Sequence, residues 1–263
     1  MEKYIDSEDK TIWIYWDQGW EDAPLICKAC LQSWKVYNRN EWNVIQLDRN
    51  NIKKYIDMEK LVPTFNDLPL QFKSDVLRIN LLQKFNGLWV DATLFCTKPL
   101  NTWIGQYDTF FAFSYPSHDR LISSWFLYSK TNNYIVDMIC KEINLYCRNK
   151  LKPENYFQFH FIITELYRTD KTFRTSWDNV TPKISAKVPQ SLKYPSKRTQ
   201  LSNEAKNHID KYESPVYKLD HNKDSDEALQ SKNANAYSYL MLKHNTLFGG
   251  DRIIKTSEKK SDR

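Results

Sequence analysis

LQFKSDVLRINLLQKFNGLWVDATLF, residues 70–95, carries the reading that decides the fold. From Leu70 to Phe85 apolar residues return every three or four positions, the spacing of a helix. Asn86-Gly87 is the pair expected at a left-handed helix cap, and LWVDATLF after it is a strand of buried character. At about 100° per residue, Lys73, Asn80 and Lys84 gather on one side of the helix and Ile79, Leu81, Leu82 and Phe85 on the other. Asp75 and Arg78 fall on the apolar side, three residues apart, where they can pair. A core ion pair that fixes register is one explanation. Such pairs are often neutral or costly for stability, so the position favours site residues facing a polar cavity. Asp91, alone at the end of a buried strand, raises the same question, because it needs a partner, hydrogen bonds or a cation.

Upstream, TIWIYW (11–16) reads as a strand, and DQGWEDAP after it as a loop. Asp22 and Pro24 start a helix, LICKACLQSWKVYN, followed by a second strand, WNVIQLD (42–48), and a short helix from about Asn51. This β-α-β rhythm predicts a mostly parallel α/β sheet whose ligands sit at the carboxyl ends of the strands. Downstream, DTFFAFS (108–114) and SSWFLYS (123–129) extend the same sheet, and NNYIVDMICKEINLYCRNKL and PENYFQFHFIITELYRT form helices. From about residue 190 the chain turns polar and is expected to be irregular, with SPVYKLDH (214–221) its one strand. The reading is a single domain over 1–250 with a basic, disordered tail at 251–263.

A chain of 263 residues, 41% hydrophobic and 14% aromatic, can bury a large core. Its net charge of +6 favours anionic partners such as phosphates, nucleotides or an acidic membrane face. The charge is not concentrated in one stretch and 32 acidic residues oppose it, which argues against a nucleic-acid partner. The first residues, MEKYIDSEDK, have no signal-peptide character and no window is apolar enough to span a bilayer. The expected location is cytoplasmic, at most peripheral at the inner membrane face. Cys27 and Cys30 in CKAC have redox or zinc spacing, but no second pair follows, and both fall inside a helix, so they read as core thiols.

The stretch SDVLRINLLQKFNGLWVDAT resembles the signature of the capsular polysaccharide synthesis glycosyltransferases, related to the family-32 and toxin-type sugar transferases. These carry a Ser-Asp-X-X-Arg helix, a Gly-ended cap and a strand finishing in an Asp-X-Asp metal motif. IWIYWDQGWEDAPLICKACLQSW resembles the family's first strand, loop and helix; SSWFLYSK, YFQFHF and VYKLDH resemble its less specific later blocks. The resemblance covers most of residues 11–221. It implies a GT-A-like, Rossmann-type α/β sandwich and transfer of a hexose from a nucleotide sugar, a UDP-sugar above all, with retention of configuration. The implied acceptor is a lipid-linked oligosaccharide in capsule or exopolysaccharide synthesis.

By the same resemblance, Tyr15 and Trp16 end the first strand where an aromatic stacks on the donor's base, with a core role as the alternative in a chain of nine tryptophans. Asp75 and Arg78 match residues that hydrogen-bond the donor sugar and its phosphate side. Asp91 matches the first carboxylate of the metal motif. Ser124 falls where related enzymes place a small polar residue near the donor sugar. Lys218 and His221, in VYKLDH, are candidates by residue type for a phosphate contact and a late metal ligand, with a structural role as the alternative for the histidine, and His160 is an acceptor contact or a packed ring.

The departure is Thr93, which stands where the wider superfamily has its second Asp. A hydroxyl is a poor ligand for Mn²⁺ or Mg²⁺, so a divalent metal is held weakly, held with another residue, or not used. The same change leaves a catalytically silent binding module as the rival function. Glu165 and Asp119 are available as nucleophiles, and nothing in their spacing selects either; front-face displacement is the expectation that remains.

Overall fold

Asn86 leaves the end of its helix with φ 58° and ψ −157°, and Gly87 follows at φ 88°. A Cβ at Gly87 would run into the Thr11 carbonyl oxygen, so the helix enters the sheet only because this residue has none. The computed structural model describes residues 10–149, 153–192, 200–230 and 235–247. The expected tail, 251–263, lies outside them.

In chain order the elements are Thr11–Tyr15 (β1), Leu25–Asn38 (α1), Asn43–Leu47 (β2), Met58–Leu61 (α2), Leu70–Phe85 (α3), Gly87–Asp91 (β3), Leu94–Cys96 (β4), Phe110–Ser117 (β5), Arg120–Ser129 (β6), Tyr134–Asn149 (α4), Gln158–Thr169 (α5), Lys171–Asp178 (α6), Asn203–Asp210 (α7), Val216–Lys218 (β7), Lys223–Gln230 (α8) and Ala236–Leu247 (α9). The short helix expected at Asn51 is a 3-10 turn, Ile52–Lys54. Contacts divide the chain into two compact units.

The first unit comprises residues 1–22, 38–91 and 99–187. Its sheet has the order β2-β1-β3-β6-β5. β1 pairs in parallel with β2 and β3, and β6 runs antiparallel to both β3 and β5, so β6 alone opposes the common direction. The sheet is mixed and mostly parallel, as the β-α-β rhythm predicts. Aromatic rings pack against β5 and β6: half-buried Trp103 meets buried Phe111 and Phe126 at 5.5 Å each, and the two phenylalanines lie 5.7 Å apart. α3 packs on α4, and α5 on β6.

α3 departs from the expected two-sided pattern. Asn80, assigned to its polar side, is buried, donating to Val76 O at 2.8 Å and to Asn144 Oδ1 of α4 at 2.9 Å. The helix is enclosed on both sides through its middle turns, and Asn80 can sit there because Asn144 completes its amide hydrogen bonds. α6 was not foreseen at all; Asp170 caps it by accepting from the Phe173 N–H at 2.9 Å.

The second unit comprises 23–37, 92–98 and 188–263. Here the expected irregularity gives way to α7, α8 and α9 beside the small antiparallel pair β4–β7. Asp226 of α8 caps α1, accepting from the Leu25 and Ile26 N–H groups at 3.1 and 2.9 Å. Trp34 of α1 donates to Leu94 O at 2.7 Å. Cys27 and Cys30 are buried free thiols, and burial holds the Cys30 thiol well above its ordinary range. No helix among the described residues is long and apolar enough to cross a membrane.

Candidate active site

Asp91 is the last residue of β3, beside Tyr15 at the end of β1, at the carboxyl edge of the parallel strands. Its Oδ1 accepts from Arg78 Nη2 at 3.0 Å and from Trp89 Nε1 at 3.1 Å. Arg78 also donates through Nη1 to Asp75 and through Nη2 to Ser74 Oγ at 3.3 Å, and its guanidinium stands 5.2 Å from the Trp89 ring and 5.6 Å from Phe159. The side chains of Asp75 and Arg78 are each 4% exposed and that of Asp91 is 24% exposed, so of the three it is Asp91 that reaches solvent. Burial lifts the Asp75 carboxyl to about 7, against the pull of Arg78 and with a push from Asp91. The helix and the strand that follow one another through Gly87 thus bring the three expected residues together. Arg78 and Asp75 form the floor that fixes Asp91.

A second group lies where β6 overruns β3. Beyond the last pair, Val90 with Phe126, β6 becomes irregular: β5 advances from Ala112 to Ser114 while β6 advances from Leu127 to Ile122. The surplus residues form a bulge that includes Ser124. Ser124 Oγ lies 3.4 Å from His160 Nε2 on α5. Burial, then the charges of Arg120 and Arg78, hold the His160 imidazole down at about 4, so it is neutral at physiological pH.

A third group closes the ends of β1 and β2. Asp17 is buried, accepts from the Tyr15 hydroxyl and from Arg49 Nη2, and its carbonyl accepts from Arg49 Nε at 3.1 Å. The Tyr15 hydroxyl is raised above its ordinary pKa chiefly by burial. Trp16 is half-buried, and its backbone N–H donates to Leu47 O at 3.0 Å. Tyr15, Asp17, Arg49, Lys53 and Lys73 line a cavity of about 100 Å³. Asp17 and Arg49 were not among the expected site residues; an acidic residue directly after the first strand was the available signal.

Thr93, Lys218 and His221 belong to the second unit. Lys218 Nζ donates to Thr93 Oγ1, and the Leu219 N–H to Thr93 O at 2.9 Å. His221 is exposed on the loop after β7, its N–H donating to Asp220 Oδ1 at 2.8 Å. These donors do not fit a divalent ion held by protein carboxylates. Asp91 Oδ1 already accepts two N–H groups, one of them cationic, and Thr93 Oγ1 accepts from a lysine. Among the described residues no three His, Cys, Asp or Glu side chains converge on a common point.

The two spare carboxylates take no part in these groups. Glu165 is exposed on α5 and paired with Arg168 at 2.7 Å, about 140° around the helix from His160. It lines a groove of about 920 Å³ between α4 and α5. Asp119 sits in the β5–β6 turn, 3.3 Å from Arg120 Nε.

Residues 1–240 match the profile of the family described as capsular polysaccharide synthesis protein, and the chain belongs to that family. Relatives include the glycosyltransferase afumC of Aspergillus fumigatus, 26% identical over 107 residues, which are 36% of this chain and 27% of that protein. The O-glycosyltransferase PaGT of Phomopsis amygdali is 26% identical over 145 residues, 48% of this chain and 36% of its own. The matches thus span about a quarter to a third of these relatives' lengths. Among solved structures, the PaToxG glycosyltransferase aligns with a TM-score of 0.42 at 13% identity, covering 95% of this chain and 81% of that one.

Proposed function

We infer that this member of the capsular polysaccharide synthesis family is a retaining glycosyltransferase. In this reading it moves a hexose from a nucleotide sugar, a UDP-sugar above all, to a lipid-linked glycan at the inner membrane face. The observation that carries the reading is the Asp75–Arg78–Asp91 network. A fold needing only a register pin would gain little from three charges at one strand end, since buried pairs contribute weakly to stability. A site gains a carboxylate held in one orientation by a cation, an indole N–H and a stacked ring.

Asp91 then orients the donor sugar at the carboxyl edge of β3, where ligands of open α/β sheets bind. The base and ribose lie toward Tyr15 and Trp16, at the end of β1. Arg49, Lys53 and Lys73, which line the cavity there beside Asp17, Asp57 and Glu59, are the cations that meet the departing diphosphate in this reading. Among the described residues Glu165 and Asp119 stand apart from the Asp91 network, which supports front-face displacement as the step proposed. The bond from the anomeric carbon to the diphosphate oxygen breaks, the acceptor oxygen bonds to the same face, and the acceptor proton leaves with the diphosphate. Similarity to named glycosyltransferases supports the reaction class.

The test is nucleotide release from a panel of UDP- and GDP-sugars, with the anomeric configuration of the product read by NMR. One donor should be turned over with retention, and Asp91→Asn should lower the rate about a hundredfold or more. No release from any donor would favour the silent binding module.

A further inference from the structure

Arg120 lies outside the groups that the family resemblance explains, yet it has the features of a ligand residue. It opens β6 at the tip of the β5–β6 hairpin, paired across the turn with Ser117. Because β5 runs with β3, this tip projects beyond the carboxyl edge at which Asp91 sits. Trp89 stands level with Leu127, and Leu127 with Ala112, so Asp91 lies two residues along and Ser117 five. The difference of three residues puts Arg120 about 10 Å beyond Asp91, or up to about 16 Å if counted along the bulged β6. Either distance is too long for both residues to grip one phosphate and suits a group carried by a more distant sugar or its linkage.

The guanidinium is also built in. Its Cζ stands over the Phe157 ring, 3.6 Å from the centroid, with the side chain 23% exposed. Its one ion pair among the described residues is Asp119 at 3.3 Å through Nε, a half-exposed pair of little strength. Among the described residues neither terminal nitrogen is in an ion pair, which leaves both for a ligand. The first turn of α5 ties this residue to the rest of the edge: Phe157 under Arg120, Phe159 against Arg78, and His160 against Ser124.

We propose that Arg120, shelved on Phe157 at the hairpin tip, binds an oxyanion of the acceptor, a carboxylate or a phosphate, about two to three sugar lengths from Asp91. A fork of N–H donors on an aromatic shelf selects planar or tetrahedral oxyanions over hydroxyls. The inference rests on the transferase reading and names the acceptor's chemistry within it.

Two matched probe pairs test it by calorimetry on the full chain: tri-galacturonate against its methyl ester, and farnesyl diphosphate against farnesol. The wild type should prefer the anion of at least one pair about tenfold, the worth of one charge-assisted hydrogen bond, and Arg120→Gln should erase that preference. The first pair reports an acidic sugar, the second a lipid diphosphate. If Arg120→Gln fails to fold, Arg120→Lys, which keeps the charge and loses the fork, should show a reduced preference. Absence of preference in both pairs, or a preference that survives Arg120→Gln, overturns the proposal. Nucleotide release by the wild type is scored separately: its loss defeats the transferase reading, whereas release without anion preference defeats only the role of Arg120.

Discussion

Arg78 holds two carboxylates at once, and that sets what each substitution does. Arg78→Ala leaves Asp75 buried without its cation, so above about pH 7, where Asp75 is ionised, the fold should lose about 3 to 5 kcal/mol in urea unfolding. Asp91→Asn keeps an acceptor for Arg78 and Trp89 and should cost no more than about 1 kcal/mol while removing activity. A site residue and a support residue are thereby separated by one pair of melts. Asp75 adds a pH dependence. Its carboxyl, raised to about 7 in the folded chain from 3.8, holds a proton that the unfolded chain gives up. The resulting stability is complete below about pH 4 and is lost as pH rises to about 7. The stability of wild type minus that of Asp75→Asn should therefore fall across this window and flatten above it. His160 reports the other cation: Arg120→Gln removes one of the two charges that depress its imidazole, so its NMR titration should move up from about 4 toward 6.5. That Asp75, Arg78 and Asp91 need partners was legible in the sequence, because charge on an apolar face or in a buried strand is out of place, and the structure pairs them with one another. Asp17, Arg49 and Arg120 were not, because a charged residue in a loop or turn looks like any solvated one until a partner is seen.

At the scale of elements, the passage from α3 to β3 is the tightest constraint. Gly87→Ala puts a methyl group against the Thr11 carbonyl and an L-residue at φ 88°, and should lower stability by about 2 to 3 kcal/mol, read as a fall in Tm. α3, β1 and β3 could be read because period, cap and β-branched or aromatic content agree. The polar side of α3 was misread because Asn80 is paid in hydrogen bonds from Asn144, a partner 64 residues away. α7 to α9 were missed for a related reason. They are rich in polar residues, and what supports them is distant in sequence: α8, for example, supplies the cap of α1 through Asp226, 201 residues from Leu25. The β6 bulge that aims Ser124 at His160 is likewise a matter of register with β5, which no local pattern reveals.

For the whole molecule, the proposal comes down to one claim, that the carboxyl edge of the first unit's sheet would hold the donor against Asp91. The family places the chain among capsular polysaccharide synthesis proteins, and the carboxylate network says where in the chain to look for chemistry. The most direct measurement is nucleotide release from the UDP- and GDP-sugar panel by wild type and Asp91→Asn, each with and without chelator. The account predicts release from one donor by the wild type that persists in chelator, since no three His, Cys, Asp or Glu side chains among the described residues converge on an ion, and that falls about a hundredfold in a folded Asp91→Asn. Equal release by the two proteins would contradict it, and Asp91 would then be a structural partner of Arg78.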